Sequence, residues 1–308
     1  MRNRFVQTIL DIAADNSNLY LITGDLGFGV LTKFQESFPN QFINAGVCEQ
    51  NMTSVAAGMA LEGKTVITYS IANFSTARCL EQIRNDVAYH QANVKIVAVG
   101  GGFSYGALGM SHHATEDLAI MRSMPEMTVF TPCDPRETEM VTRTAIQMNG
   151  PCYIRLGKGG EKTLNDEGTI VSFDKANILR NGENTAILVA GAIANEALIA
   201  ADLLKRDGID CAVYSFPSIK PLDKETILRL AGIHENLFTL EEHNIIGGFG
   251  SAVSEVIAEN RTKTVLTRIG LNDEFTSVVG SQEYLRKFYG LNAKNISRII
   301  QHKFKLIR

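Results

Sequence analysis

Short runs of apolar residues alternate with segments that carry one apolar face along nearly the whole chain. At the start, Phe5, Ile9, Leu10 and Ile12 mark one face of a helix, and residues 19–24 then form a short buried strand that ends at a glycine. Further strands are predicted at residues 42–47, 65–69, 94–99 and 127–130, and helices at 49–61, 76–89, 116–124 and 135–148. Continuous apolar strands that alternate with helices are typical of a mostly parallel sheet covered on both faces.

Residues 157–184 interrupt this alternation with glycines and charges, and we interpret them as a linker. A second alternation follows, with strands at 185–190, 211–216, 237–240 and 265–269 and helices at 195–206, 224–230, 251–259, 282–288 and 292–302. The predicted fold class is therefore α/β, with two domains that each contain a mostly parallel sheet flanked by helices. We place the first domain at residues 1–175 and the second at residues 176–308.

Composition narrows the functional classes. The 308 residues are 45% hydrophobic and carry a formal net charge of −3, so no basic field favours nucleic acid as a partner. The N-terminus lacks the uninterrupted apolar core of a signal peptide, and no run approaches the roughly 18–20 apolar residues that span a bilayer. We therefore expect a cytoplasmic protein that contacts no membrane. The five cysteines are widely spaced without a C-x-x-C pair, which favours buried thiols over disulfides or a zinc site.

Two segments could carry chemistry. Glu49 lies in the first turn of a predicted helix, where a carboxylate can equally be a solvated residue that complements the helix dipole. His112 and His113 follow a glycine-rich loop at the carboxyl end of a predicted strand, the edge at which open parallel sheets bind ligands. Histidine there can transfer protons near neutral pH, although surface or capping histidines remain the alternative. No set of residues at metal-ligand spacing accompanies them, so we predict no metal site in this chain.

Taken in order, several segments resemble transketolases, in particular the C-terminal half that some organisms encode as a separate chain. The matching stretches are residues 22–26, 42–52, 78–84, 109–112, 131–137, 150–155 and 241–250. Because they extend over nearly the whole chain, the joint match is more specific than any one of them. The resemblance implies a pyrimidine-binding domain followed by a transketolase C-terminal domain.

The resemblance also implies a thiamine diphosphate site. Glu49 matches the glutamate that hydrogen-bonds N1′ of the aminopyrimidine ring and so promotes deprotonation of the thiazolium. Phe74 matches an aromatic residue that stacks on this ring, and Asp25 and Leu26 match a loop that touches the cofactor. Ile71 stands where the family has a further aromatic residue, so it is expected to line the same pocket.

For the substrate, the resemblance implies His112 at the reacting centre, with His113 as the second candidate, and Arg155 as a phosphate contact. The chain departs from sugar-phosphate transketolases at three positions, which usually carry a serine, a histidine and an aspartate: Gly29, Gly100 and Leu108. An anion needs several charge-assisted contacts, so we hypothesise a less polar or modified ketose.

The family's G-D-G…N segment, which holds Mg²⁺ and the diphosphate, does not occur in this sequence. The resemblance therefore implies a partner, the transketolase N-terminal subunit, and a homodimer of this chain flanked by two such subunits in a heterotetramer. The implied reaction transfers a two-carbon ketol unit from a ketose donor to an aldehyde. The alternatives are the β subunit of a 2-oxoacid dehydrogenase and a non-catalytic assembly subunit.

Overall fold

A computed structural model describes residues 1–166, 168 and 171–305 of the chain. The strands within these residues are β1 (Leu19–Thr23), β2 (Phe42–Asn44), β3 (Thr65–Ile71), β4 (Val94–Val99), β5 (Thr128–Phe130), β6 (Cys152–Leu156), β7 (Asn177–Arg180), β8 (Thr185–Ala190), β9 (Cys211–Ser215), β10 (Ser218–Lys220), β11 (Asn236–Asn244) and β12 (Val265–Leu271). They form one seven-stranded sheet in the order β10-β5-β6-β4-β3-β1-β2 and one five-stranded sheet in the order β12-β11-β8-β9-β7. Pairing is parallel except for β10 against β5 and β7 against β9.

Helices cover both sheets. They are α1 (Arg2–Ala13), α2 (Thr32–Ser37), α3 (Glu49–Leu61), α4 (Ala72–Ser75), α5 (Leu80–Gln82), α6 (Asp117–Ser123), α7 (Pro135–Gln147), α8 (Ala194–Arg206), α9 (Lys224–Ile233), α10 (Phe249–Glu259), α11 (Gln282–Phe288) and α12 (Ala293–Lys305). The predicted α/β fold class, with two mostly parallel sheets flanked by helices, is confirmed. No helix in the described part of the chain is long and apolar enough to cross a membrane.

Most of the elements form because local signals and burial agree. Every residue of β4 and β8 is buried, as the continuous apolar runs predict. Helix α3 buries small residues (Ala56, Ala57 and Ala60), which lets it pack closely on β3. Asp134 caps the start of α7, because its side chain accepts a hydrogen bond from the Glu137 amide, and Pro135 takes the first helical position.

Within the described residues, five of the helices and strands were absent from the sequence prediction: α2, α4, β6, β7 and β10. The predicted linker at 157–184 contains β7, and its residues 167, 169 and 170 lie outside the described residues. Strand β10 belongs to the second half of the chain but completes the first sheet by pairing with β5. The boundary between residues 1–175 and 176–308 stays a prediction.

The predicted single helix at residues 76–89 was wrong. Helix α4 begins earlier, a 3₁₀ turn (Ala77–Cys79) and α5 follow, and a π-helical segment (Ile83–Ala88) ends the region. The hydroxyls of Ser75 and Thr76 bond backbone carbonyls of the preceding turn, a contact that bends helices. π-Helical segments are frequent at functional sites, and this one lies beside the candidate site described next.

Candidate active site

Glu49 lies at the first residue of α3, after the loop that leaves β2. Its side chain is 2% exposed. The backbone of Gly24, at the end of β1, passes so close that a Cβ on this glycine would lie 3.2 Å from Glu49 Cγ. The carboxyl end of the parallel sheet therefore holds a buried carboxylate, in the place where such sheets bind ligands.

Arg78 is the partner of this carboxylate. Its Nη1 donates to Glu49 Oε2 at 2.7 Å, and its guanidinium carbon lies 4.3 Å from the centroid of the Phe74 ring. Sequence reasoning did not single out Arg78, although it stands in one of the segments that carry the resemblance. Its position depends on the broken helix between α4 and α5, which a helical periodicity could not reveal.

The Phe74 ring contacts both Arg78, the partner of the Glu49 carboxylate, and His112. The centroid of its ring lies 4.9 Å from that of His112, in an edge-to-face arrangement. The loop that carries His112 is tied to α4 by a hydrogen bond of 2.8 Å from Asn73 Nδ2 to the Ser111 carbonyl. The structure therefore brings together Phe74 and His112, and Glu49 is linked to Phe74 through Arg78; their roles stay a prediction.

The two adjacent histidines have different surroundings. His112 is half-buried, its Nδ1 is 3.0 Å from Ser111 Oγ, and burial lowers the pKa of its imidazole, assisted by the nearby charges of His113 and Arg78. His113 is buried, and its Nε2–H donates to the Gly106 carbonyl while its Nδ1 lies 2.7 Å from Thr276 Oγ1. Both ring nitrogens of His113 are therefore committed to internal contacts, which favours His112 as the residue available for chemistry.

The remaining residues predicted to contact the cofactor surround the same edge of the sheet. Asp25 follows β1 with a left-handed φ of 55°, and its amide and carboxylate both bond the side chain of Asn44. Leu26 accepts a hydrogen bond from Thr23 through its carbonyl. Ile71 is the half-buried last residue of β3, immediately before α4. Their contact with a cofactor stays a prediction.

Arg155 lies inside the protein rather than on an open surface. It is 6% exposed, and its guanidinium donates to both carboxylate oxygens of Asp117 and to the carbonyls of Ala114 and Glu242. Tyr153 donates to the same Asp117 carboxylate at 2.6 Å. Arg155 therefore joins the two halves of the chain in this structure, and its contact with substrate stays a prediction.

A tyrosine fills the space beside Gly100. A Cβ on Gly100 would lie 2.2 Å from the ring of Tyr105, and the φ of Gly100 is +91°, so a histidine does not fit there. The centroid of the Tyr105 ring lies 6.4 Å from that of the His112 ring. The Lys158 ammonium lies 5.0 Å from the Tyr105 centroid. Sequence reasoning missed both Tyr105 and Lys158. The glycine at position 100 was the available signal, because it frees the volume that Tyr105 occupies.

The other two departures from the family pattern leave open space. Leu108 is 56% exposed, and nothing lies within 4 Å of a Cβ built on Gly29. A polar side chain therefore fits at Leu108. At Gly29 the left-handed φ of +72° strains any other residue although the space is open, and at Gly100 the Tyr105 ring fills the space as well.

The residues present fit the pyrimidine end of thiamine diphosphate. The Arg78 guanidinium, a planar group with N–H donors, donates to the buried Glu49 carboxylate and at the same time lies over the Phe74 ring. A hydrogen-bond acceptor and an aromatic face are therefore both within reach of one planar group. The described residues contain no group of three or more His, Cys, Asp or Glu side chains that could hold a metal ion.

The comparisons with known proteins agree with this geometry. The family described as "Transketolase, pyrimidine binding domain" matches residues 1–160, and the one described as "Transketolase, C-terminal domain" matches residues 174–296. The second match begins at residue 174, and the division at residues 1–175 and 176–308 stays a prediction.

Similar proteins match this chain over nearly their full length. A putative transketolase C-terminal section of Methanocaldococcus jannaschii is 39% identical, covering 99% of this chain and 96% of the relative. A subunit of an apulose-4-phosphate transketolase from Phocaeicola vulgatus is 36% identical, covering 96% and 95%. A solved structure of a split gene transketolase, an inactive β4 tetramer, is 34% identical and superimposes with a TM-score of 0.91, covering 100% of this chain and 99% of that one. The chain therefore belongs to the transketolase family, of which it carries the pyrimidine-binding and C-terminal domains.

Proposed function

We propose that this chain is the C-terminal subunit of a two-chain transketolase, which transfers a two-carbon ketol unit from a ketose to an aldehyde with thiamine diphosphate. The observation that carries the proposal is a buried Glu49 carboxylate and a Phe74 ring that one guanidinium contacts at the same time, with the His112 ring centroid 4.9 Å from that of Phe74. A carboxylate, an aromatic face and an imidazole at one edge of a parallel sheet suit a ring cofactor next to a reacting substrate.

Each residue has a distinct task. Thiamine diphosphate, when bound, supplies a nucleophilic carbon and an electron sink. Glu49 shares a proton with the ring nitrogen that it contacts, and burial keeps water from competing for that carboxylate. Phe74 orients the ring by stacking and excludes water from its face. The lowered pKa of His112 keeps its imidazole neutral at neutral pH, so that it can accept a proton from a substrate hydroxyl.

The substrate is proposed to be a ketose that contacts His112, with any anionic group near Lys158. Lys158 is exposed, whereas the Arg155 guanidinium is 6% exposed and paired with Asp117. The sequence-based proposal of a phosphate contact through Arg155 would therefore require this buried pair to open, at a high cost. The relative from Phocaeicola vulgatus is named for a ketose phosphate, which is compatible with an anion contact at Lys158.

The partner is proposed to be an N-terminal subunit that supplies the Mg²⁺ and diphosphate site. Large apolar side chains are exposed around the candidate site: Phe28, Val47, Leu108, Met110, Phe275 and Val279. Such a rim supports a protein interface, because monomeric surfaces rarely group apolar residues in this way. A homodimer of this chain with two partner subunits remains our proposal, and the related split gene transketolase, an inactive β4 tetramer, supports self-association of such chains.

The test is a calorimetric titration of thiamine diphosphate with Mg²⁺ into this chain alone and into its complex with an N-terminal transketolase subunit from the same organism. We expect tight binding only in the complex, together with ketol transfer from a ketose donor. The absence of binding in both samples would refute the cofactor assignment. Consumption of a 2-oxoacid with release of carbon dioxide would instead identify a 2-oxoacid dehydrogenase subunit, and full activity of Glu49→Ala would identify an assembly subunit.

A further inference from the structure

We propose that Arg78 is a gate over Glu49, which must leave both Glu49 and Phe74 before the aminopyrimidine ring of the cofactor can bind. This inference rests on the proposed function, because it assigns the ring to this site. Arg78 would be a positioning residue: it acts by controlling access to the carboxylate rather than by touching the reacting atoms.

The geometry of the pair carries the proposal. One guanidinium donates to Glu49 Oε2 at 2.7 Å and at the same time lies 4.3 Å from the Phe74 centroid. A planar ring with a nitrogen at Glu49 and its face on Phe74 needs the same two contacts. Arg78 therefore competes with the ring for one volume, rather than lying at a separate subsite.

The exposure of the two partners decides which one moves. The Glu49 side chain is 2% exposed, whereas that of Arg78 is 44% exposed. Glu49 is fixed at the start of α3, and the long arginine side chain can rotate into solvent at modest cost. The carboxylate is thus the stationary partner and Arg78 the movable one.

An alternative partner for Arg78 lies three residues further along the chain. Glu81 and Arg78 both line a shallow open cavity of ≈ 440 Å³ beside α5, together with Gln50 and Arg84. Rotation of Arg78 towards this cavity would bring the guanidinium near the Glu81 carboxylate and away from Phe74. The gate therefore has two positions, in each of which the guanidinium faces a carboxylate.

Arg78 also stabilises the buried Glu49 carboxylate when no ring is bound. A buried carboxylate without a partner is costly, and Arg78 satisfies Glu49 until a ligand replaces it. The same contact reduces the apparent affinity for the cofactor, because only the fraction of molecules with Arg78 displaced can bind.

The experiment measures thiamine diphosphate binding to the complex of this chain with its N-terminal subunit, by calorimetry for the dissociation constant and by stopped-flow for the association rate. For Arg78→Ala we expect a dissociation constant about five-fold lower and a faster association, as for the loss of a partly exposed ion pair. Glu81→Gln, which removes the alternative partner, should weaken binding about two-fold. Arg78→Met, of similar length but uncharged, serves as the second variant if Arg78→Ala does not fold.

Arg84→Ala is the matched control, because it removes the same charge from the same surface, while Arg84 contacts Asn85 rather than Glu49. Its dissociation constant should equal that of the wild type. Equal or weaker binding by the Arg78 variants, with wild type and control binding normally, would overturn the gate but leave the proposed function standing. If no sample binds the cofactor, the proposed function and the gate both fall.

Discussion

Two buried glutamates, one at the carboxyl edge of each sheet, are held in contrasting ways. Glu241 in β11 is 0% exposed and accepts hydrogen bonds from the backbone amides of Phe249 and Gly250, at 2.7 and 2.8 Å, where α10 begins. Glu49 at the start of α3 is 2% exposed, and its partner Arg78 is a side chain that is nearly half exposed. One carboxyl is held by the backbone, the other by a movable group.

The type of partner distinguishes a structural carboxyl group from one that can bind a ligand. Backbone amides at a helix start cannot leave without unfolding the turn, so Glu241 fastens α10 to the second sheet. A side-chain partner can be exchanged for a ligand, so Glu49 can take part in binding. A buried polar group therefore marks a functional site when its partner is replaceable, and burial alone does not.

The largest effect is expected for Glu49→Gln. The amide cannot share a proton with a ring nitrogen as a carboxyl does, so kcat of the two-chain complex should fall by about 10³-fold, in the range of general acid–base catalysis. Steady-state kinetics at saturating cofactor measure this change. Glu241→Gln is the matched control, and its kcat should remain within a few-fold of wild type. Equal losses in both variants would remove the distinction between the two glutamates.

The histidine pair gives the next largest effect. His112→Ala should lower kcat by about 10²-fold with little change in stability, because the imidazole is half-buried at the site. His113→Ala should instead lower the free energy of unfolding by about 1–2 kcal/mol, because it loses its hydrogen bond to the Gly106 carbonyl. Kinetics and urea unfolding of both variants check this prediction. An activity loss confined to His113→Ala would reverse the assignment.

Substitution of Glu241 should lower the free energy of unfolding, by an amount that depends on pH. An NH₂ group accepts no hydrogen bond, so Glu241→Gln leaves one of two backbone donors unpaired and should cost about 1–2 kcal/mol. Burial raises the pKa of Glu241, so the folded state retains this proton at a higher pH than the unfolded chain does. The stabilisation by this group is therefore complete below the unfolded pKa and is lost as pH rises through the folded one.

Urea unfolding of wild type and Glu241→Gln across this pH range tests the sign. The excess stability of the wild type should shrink as pH increases. An excess that grows with pH would mean that the charged carboxylate is the favoured form, and that the two amide donors outweigh burial.

The smallest effect is expected for Leu108→Asp. Leu108 is 56% exposed, so the free energy of unfolding should change by less than about 0.5 kcal/mol. The introduced carboxylate should nevertheless shift the preference among donor ketoses, measured as the ratio of kcat/KM values. Gly100→His is the contrasting variant, because its side chain meets the Tyr105 ring and should destabilise the fold.

Much of the fold followed from the sequence because local signals agreed with burial. Helix α3, strand β4, strand β8 and helix α11 have the predicted bounds. Among the missed strands, β10 is short and β7 lies in a polar segment. Both are decided by pairing with distant residues rather than by their own pattern.

In the candidate site, too, some residues followed from the sequence and others only from the tertiary structure. The sequence by itself determined the family resemblance, the carboxylate at Glu49, the aromatic residue at Phe74 and the histidine at His112, because these residue types stand in distinctive segments. Only the tertiary structure decided that Arg78 covers Glu49, that Tyr105 fills the space beside Gly100 and that Arg155 is paired with Asp117. The physical reason is that the partners of a buried charge come from elements remote in the chain, and no local periodicity records which of them meet.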